Sequence, residues 1–131
     1  MKTLSQLTEQ ADKLFSEYIR RRTADGNGIV TCVTCGKKDH WKQMHCGHYV
    51  SRAKFGTRYL AINANVQCPG CNSKHNEDKH TYMMYMLKNY PVGTLPELTK
   101  LSLKFYSGLD RRQELERVIK DLKIKIKREC I

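Results

Sequence analysis

The chain has 131 residues, the usual size of one domain, which excludes a multi-domain enzyme. Lys and Arg total 24 against 13 Asp and Glu, a formal net charge of +11 that favours a polyanionic partner, with nucleic acid as the leading candidate. Hydrophobic residues make up 40% of the sequence, so we expect a modest core that needs an additional stabilising element.

Residues 3–24 are predicted to form an N-terminal helix. Apolar residues recur there at three- and four-residue spacing, which places them on one face of an amphipathic helix. Thr3 and Gln6 match a capping box at its start, and the Asp-Gly-Asn-Gly run at 25–28 is expected to end it. The arginine run at 20–22 suits the negative end of the helix dipole, with a phosphate contact as the alternative.

Two Cys-x-x-Cys turns follow this helix. Two intervening residues let both thiolates of a turn point at one ion, and zinc prefers four tetrahedral ligands, so the pairs predict one closed structural zinc site. The predicted ligands are Cys32, Cys35, Cys68 and Cys71. The alternatives are free cysteines, two disulfides or a redox-active thiol pair, which two matched pairs disfavour. Cys46 and Cys130 lie outside the pairs, and we assign them no role.

The segment 29–76, which contains both turns, carries the pattern of an HNH nuclease. That motif is a ββα unit, with a His in the first strand, an Asn before the second cysteine turn and a third polar residue in the following helix. Here these residues are His48, Asn63 and Asn72. We therefore expect an α+β fold, in which a small zinc-bound ββα-metal core of HNH or treble-clef type lies between N-terminal and C-terminal helices.

The chemistry of phosphodiester hydrolysis explains these residue types. The transition state gathers negative charge, so one divalent cation, Mg²⁺ or Mn²⁺, is expected to hold the scissile phosphate and the departing 3′ oxygen. His48 would take a proton from the attacking water, because a neutral imidazole is a suitable base at cellular pH. Asn63 would orient the hairpin or the imidazole, and we prefer it to Asn65 for its spacing from Cys68.

The sequence departs from the HNH pattern at two positions. Gly47 stands where an acid or His ligand commonly precedes the base, and Asn72 stands where His is common. The amide oxygen of Asn72 is an acceptable ligand for a hard cation. His45 and Asn76 are candidates to complete the shell of the catalytic ion, together with Asp78. A surface or zinc-packing role for His45 is the alternative.

Residues 77–131 are predicted to form a helical C-terminal region. Helical spacing of apolar residues spans 72–90, where we interpret the methionines at 83–84 as core packing. A capping-box arrangement predicts another helix from Thr94. The basic tail from Asp110 has one apolar face and predicts a last helix, although its end also alternates like a strand.

Taken in order, these features resemble the NinG family, also called Rap, of lambda-like phages. The resemblance covers about residues 10–90 and rests on the N-terminal helix, both cysteine turns, the Gly-His-aromatic triplet at 47–49, and Asn63. In that family the triplet replaces the usual acid-His pair. The resemblance implies an HNH-type endonuclease that cuts branched DNA such as D-loops and Holliday junctions during phage recombination.

Three basic residues between His48 and Asn63 are our candidates for phosphate contacts, which position DNA without reading its sequence. They are Arg52, Lys54 and Arg58. Symmetric cutting of a four-way junction would suit a homodimer. The alternative function is a non-catalytic zinc-ribbon module that binds nucleic acid through its basic surface, in which His45 and His48 only pack or donate hydrogen bonds.

No segment reads as a membrane span or a secretory signal. The first residues lack an apolar run of signal-peptide length, and no stretch approaches the roughly 18 apolar residues of a transmembrane helix. We therefore expect a cytoplasmic protein without a membrane partner, located in the bacterial host if a phage encodes it. In a reducing compartment, paired cysteines are metal ligands more often than disulfides.

Overall fold

A computed structural model describes residues 1–74 and 77–131, and within these ranges the chain is an α+β protein with two small sheets. The helices are α1 (Leu4–Arg21), α2 (Phe55–Arg58), α3 (Pro69–Ser73), α4 (Lys79–Asn89), α5 (Thr94–Ser102) and α6 (Gly108–Glu129). The strands are β1 (Ile29–Thr31), β2 (Lys38–His40), β3 (His45–His48) and β4 (Ala64–Gln67). No helix in this part of the chain combines the length and apolar character needed to cross a membrane.

The predicted N-terminal helix forms, and its capping box is present. The Thr3 hydroxyl accepts from the Gln6 N–H, and the Gln6 side chain accepts from the Thr3 N–H. Its apolar face packs against α6, and together they form the largest buried cluster. Each large aliphatic or aromatic side chain removed from water in this way contributes about 1.5–3 kcal/mol. The α1–α6 pair is therefore the main support of the fold.

The arginine run at the end of α1 makes intramolecular contacts. Arg20 donates to the carbonyl of Trp41 at 3.3 Å, and its guanidinium lies 5.2 Å from the centre of the Trp41 ring. Arg21 pairs with Glu17 at 3.0 Å. Arg22 donates to the Ala64 carbonyl at 2.8 Å. The Arg20 and Arg22 contacts join the end of α1 to other segments, and a phosphate contact by any of the three arginines would compete with existing partners.

The second sheet is the hairpin that carries the predicted site. β3 pairs antiparallel with β4, with His45 opposite Gln67 and His48 opposite Ala64. The long connection between the two strands, residues 49–63, is called the insert and contains α2. β4 leads directly into α3, which packs against β3. Because α1 also packs on both strands, the β3–β4–α3 unit is held against the N-terminal helix.

The helix predicted over 72–90 is interrupted. α3 ends at Ser73, and α4 begins only at Lys79, after an N-cap at Asp78. The interpretation of the methionines at 83–84 as core packing is confirmed for Met83, which packs against a buried cluster, but is wrong for Met84, which is 51% exposed. α4 instead buries Tyr82 and Met86. The Tyr82 ring packs edge-on against the Tyr49 ring, with ring centres 5.3 Å apart, and this contact turns the Tyr82 face of α4 toward the core.

The two predicted C-terminal helices form. α5 begins at Thr94 as expected, and α6 begins after a capping box between Ser107 and Asp110. The alternating residues at 123–127 belong to α6, which excludes the strand alternative. Within α6, Asp121 and Lys125 form an ion pair at 3.4 Å. An exposed pair of this kind stabilises a helix by only a few tenths of a kcal/mol, about 0.3–0.5.

Candidate functional site

The two cysteine turns meet and form a candidate metal centre. All four Sγ atoms lie within 4.8 Å of one another, and the Sγ atoms of Cys35 and Cys68 are 3.7 Å apart. A tetrahedral zinc ion with Zn–S bonds of about 2.3 Å requires sulfur atoms about 3.8 Å apart. The cluster therefore has the size of a zinc site. Its members are the predicted Cys32, Cys35, Cys68 and Cys71.

The protonation of the cluster also favours a cation. Burial opposes ionisation of Cys32, but backbone N–H donors of Cys35, Cys68 and Thr34 outweigh it and lower its pKa to about 7. Burial and the neighbouring thiols raise the pKa of Cys71. Four thiolates repel one another unless a dication lies among them, and an all-thiolate donor set suits zinc. The donor chemistry and the geometry thus both fit a structural zinc ion.

Two hydrogen bonds tie the cysteine turns to each other. The Val33 N–H donates to the Val66 carbonyl at 3.1 Å. The Gln67 side-chain amide donates to the Thr34 hydroxyl at 2.7 Å, and Gln67 is only 1% exposed. Gln67 is also the last residue of β4, so the hairpin and the metal centre share a buried side chain.

A cleft of about 590 Å³ lies between α1, β3 and α3. Four predicted site residues line it, which are His45, His48, Arg52 and Asn72. Asp12 of α1 lines it as well and was not predicted. The only hint in the sequence is that Asp12 is followed at helical spacing by the apolar Phe15 and Ile19, which places an acid at the edge of the buried face. The cleft thus combines the ββα unit with a helix outside it.

His48 is held in one orientation at the end of β3. Its Nε2 lies 2.9 Å from the backbone carbonyl oxygen of Arg58, and its ring lies 5.5 Å from that of Phe15. A carbonyl only accepts, so Nε2 carries the proton and Nδ1 is left as the acceptor. Burial lowers the pKa of His48, and the positive charges of Arg52 and Arg58 lower it further, against opposing effects of the Arg58 hydrogen bond and Asp12. The imidazole is therefore neutral at pH 7.

Asn63 is fully buried and binds the insert that follows β3. Its amide oxygen accepts from the Val50 N–H at 2.9 Å, and its amide nitrogen donates to the carbonyls of Val50 and Thr57, both at 3.0 Å. Of the two roles expected for Asn63, the contacts match orientation of the hairpin and not of the imidazole. Asn65 contacts Tyr82 and Tyr90 on the α4 side instead.

His45 and Asn72 are neighbours in the cleft. The side-chain amide of Asn72 lies 3.1 Å from Nδ1 of His45. The other proposed ligand, Asn76, lies outside the described residues. Within the described ranges, the four cysteines are the only group of three or more His, Cys, Asp or Glu that could hold a metal ion. A second cation would therefore depend on the Asn72 oxygen, His45, water and substrate phosphate.

Packing explains the absence of an acid at position 47. Gly47 is buried, and a Cβ there would overlap the carboxamide of Gln67, lying 2.6 Å from its Cδ. The side-chain oxygen of Gln67 has no hydrogen-bond partner within the described residues and faces Gly47. A carboxylate at this position would have to displace a side chain that links the two cysteine turns.

The predicted phosphate contacts have different surroundings. Arg52 and Lys54 are exposed. Arg58 is half-buried and forms an ion pair with Asp12, with Nε 2.9 Å from Oδ1 and an Nη 2.6 Å from Oδ2. A phosphate contact by Arg58 would therefore require this pair to break, whereas Arg52 and Lys54 carry no such cost.

The remaining cysteines lie outside the metal cluster. Cys46 lines the cleft, and burial raises its pKa to about 12, so its thiol is neutral at pH 7. Burial also raises the pKa of Cys130 near the end of α6. Neither thiol is poised as a nucleophile, because the thiolate is the reactive form.

Fold and site together define a small α+β protein with a four-cysteine metal centre beside a histidine-containing cleft. The chain matches the family model described as Bacteriophage Lambda NinG protein over residues 1–129, and it belongs to that family. Membership implies a role related to phage recombination, and the match extends the resemblance of residues 10–90 to almost the whole chain. No curated protein and no solved structure matches this chain.

Proposed function

We propose that this protein is a metal-dependent endodeoxyribonuclease of the HNH type that hydrolyses phosphodiester bonds in branched recombination intermediates such as D-loops and Holliday junctions. The observation that carries the proposal is the hydrogen bond from His48 to the Arg58 carbonyl. It leaves Nδ1 of a neutral imidazole as a proton acceptor, and His48 lines the cleft, so the residue meets the chemical requirement for a general base toward water.

The pKa of His48 sets the expected pH dependence. An ordinary histidine has a pKa of about 6.5, and that of His48 is lower because the ring is buried. The base is therefore mainly unprotonated at pH 6.5, and the rate should fall to half of its maximum only at a pH below that value. A rate that declines already between pH 8 and 7 would indicate a different base.

The hydrolysis also needs positive charge at the phosphate. Asn72 and His45 would hold the divalent ion in place of their present hydrogen bond to each other, and the ion would offset the charge that develops on the scissile phosphate and the departing 3′ oxygen. Mg²⁺ commonly keeps several waters and takes only one or two protein ligands beside substrate phosphate. The sparse donor set of the cleft is compatible with that mode of binding.

The charge of the protein supports DNA as the substrate. The net charge of +11 favours a polyanion, and two cations of the insert are exposed: Arg52, which lines the cleft, and Lys54. Contacts from such side chains to phosphates position a backbone without reading its sequence. Selection of branched DNA would then depend on the shape of the substrate, and two active sites in a homodimer would suit symmetric cutting of a four-way junction. Sedimentation with and without a junction tests the dimer.

The second candidate is a zinc-stabilised module that binds nucleic acid without cutting it. The observation in its favour is that Asp12, the acid in the cleft, is already paired with Arg58. In this case His48 would only hold the Arg58 carbonyl and so stabilise the insert. Binding that weakens steeply with salt, without any cleavage, is the result this function predicts.

A cleavage assay separates the two functions. Labelled linear, forked and four-way DNA is incubated with protein in Mg²⁺, Mn²⁺ or EDTA, and His48→Ala is compared with His80→Ala. His80 is exposed on α4 and serves as the matched control. We expect divalent-dependent cleavage that falls about 10²–10⁴-fold in His48→Ala and is unchanged in His80→Ala.

Zinc content and melting temperature are measured on the same samples. If His48→Ala keeps both but still cuts like the parent, His48 is not the base. If neither ion supports cleavage of any of the three DNA substrates, the nuclease proposal fails and the binding module remains.

A further inference from the structure

We infer that Asp12, on a helix outside the ββα unit, is a positioning residue that holds the His48 base in its productive tautomer through Arg58. The inference deepens the proposed function of His48 and rests on it. Its path runs from the Asp12 carboxylate to the Arg58 side chain, and from the Arg58 backbone carbonyl to the His48 ring.

The first step of this path is a two-point contact. The two carboxylate oxygens of Asp12 accept separately from Nε and an Nη of Arg58, at 2.9 and 2.6 Å. The Tyr59 hydroxyl donates to the same carboxylate at 2.8 Å. A bidentate Arg–carboxylate pair fixes the plane of the guanidinium as well as its distance. Burial raises the pKa of Asp12, but the hydrogen bonds from Arg58 and Tyr59 outweigh it and keep the carboxylate ionised.

The second step passes through the backbone of α2. Arg58 is the last residue of this helix, and the terminal carbonyls of a helix lack intrahelical partners. Its carbonyl is therefore available to accept from His48 Nε2 at 2.9 Å. Which nitrogen of an imidazole carries the proton is set by the hydrogen bond that the other one makes. A shift of this carbonyl would free Nε2 and allow the other tautomer.

The third step is that α2 cannot hold this carbonyl by itself. The helix has only four residues, Phe55–Arg58, and no side-chain hydrogen bond at its N-cap. Helices of such length have little stability of their own. A second Nη of Arg58 donates to the Arg52 carbonyl at 3.1 Å, so this one side chain joins α1, the start of the insert and α2. The Asp12 carboxylate holds the Arg58 side chain in this position.

A direct ligand role for Asp12 would need a different arrangement. Its carboxylate already accepts three hydrogen bonds, and a carboxylate offers about four acceptor sites. Binding a cation at the same oxygens would place it beside the Arg58 guanidinium, where like charges repel. The contacts therefore favour positioning over ligation, and the experiment separates the two.

The test compares Asp12→Asn and Arg58→Lys with the parent and with Glu9→Gln. Asparagine keeps the shape of Asp12 but removes its charge. Lysine keeps the charge of Arg58 but removes the guanidinium that donates two hydrogen bonds to the carboxylate. Glu9 is exposed on the same helix and is the matched control. Circular dichroism and zinc content establish that each variant is folded.

The decisive readout is the tautomer of His48, measured from ring ¹⁵N chemical shifts and assigned by comparison with His48→Ala. We expect the Nε2–H form in the parent and in Glu9→Gln, and a mixture of tautomers in both test variants. The cleavage kcat should fall about 10- to 100-fold in those variants, with KM unchanged. A merely structural role of Asp12 would lower the melting temperature without changing the tautomer.

The remaining outcomes distinguish positioning by Asp12 from metal ligation by Asp12 and from failure of the proposed function. An unchanged tautomer in Asp12→Asn and Arg58→Lys overturns the inference. An unchanged tautomer together with a rise in the Mn²⁺ concentration needed for half-maximal cleavage assigns Asp12 as a ligand instead. Absence of cleavage by the parent defeats the proposed function, and the tautomer measurement still decides whether Asp12 positions His48.

Discussion

The metal centre and the cleft lie side by side but are built in different ways. Each half of the metal centre comes from one turn, with its two sulfur ligands separated by two residues. The cleft takes its groups from α1, β3, the insert and α3. A metal ion can hold the first region together by itself, whereas the second depends on hydrogen bonds and packing between distant segments. The metal centre is thus a structural support, and the cleft beside it is the candidate active site.

Gln67 connects the two regions. Its side chain donates to Thr34 of the first cysteine turn and also fills the space beside Gly47, next to His48. Loss of the metal centre should therefore disturb the cleft. Substitutions on the cleft side of Gln67 should have a smaller effect on metal binding.

Cys68→Ala should have the largest effect. A structural zinc site contributes about 10–16 kcal/mol of apparent binding free energy, which is comparable to the stability of a whole domain. We expect loss of the bound metal and loss of the cooperative melting transition, measured by elemental analysis and differential scanning calorimetry. Cys130→Ala is the control. Because Cys130 lies outside the cluster, this variant should keep its bound metal. Full zinc content and normal melting in Cys68→Ala would refute the metal centre.

Gly47→Ala should have an intermediate effect. The new Cβ would overlap the buried carboxamide of Gln67, and overpacking of this kind costs about 1–3 kcal/mol. We expect a lower free energy of unfolding in urea with metal still bound. Gly108→Ala is the control, because a Cβ there meets nothing within 4 Å.

The same change can be checked with a second substitution. In a double-mutant cycle with Gln67→Ala, the cost of Gly47→Ala should largely disappear, because the group that it overlaps is gone. Additive effects of the two substitutions would mean that the collision with Gln67 is not the reason for the glycine.

Arg52→Ala should have the smallest effect, confined to DNA binding. Each phosphate contact that is lost reduces the slope of log K against log salt by about 0.9 on duplex DNA. We expect that change in EDTA, with stability and zinc content unaltered. Lys123→Ala, an exposed cation on α6, should leave the slope unchanged. Equal slopes for both variants would place the DNA away from the cleft.

Short-range features were predictable from the sequence alone. The two Cys-x-x-Cys pairs identified the four cysteines that come together and could hold a metal ion, and the capping residues Thr3 and Gln6 identified the start of α1. The order of strand, strand and helix around His48 was expected as well. The cysteine pairs and the capping box depend on residues within about one turn of each other, so local spacing is sufficient to predict them. The order of strands and helix was expected from the resemblance to the HNH motif.

Only the tertiary structure decided which side chains complete the site. Asp12 reaches Arg58 across a long stretch of chain, and the sequence alone suggested Arg58 as a phosphate contact. The buried face of α4 is likewise chosen by Tyr49, and the glycine at 47 by Gln67. Such contacts arise between segments that approach each other only after folding, where packing volume and paired charge select the partners. The sequence alone thus predicted the four-cysteine cluster, and only the tertiary structure determined how His48 is held beside it.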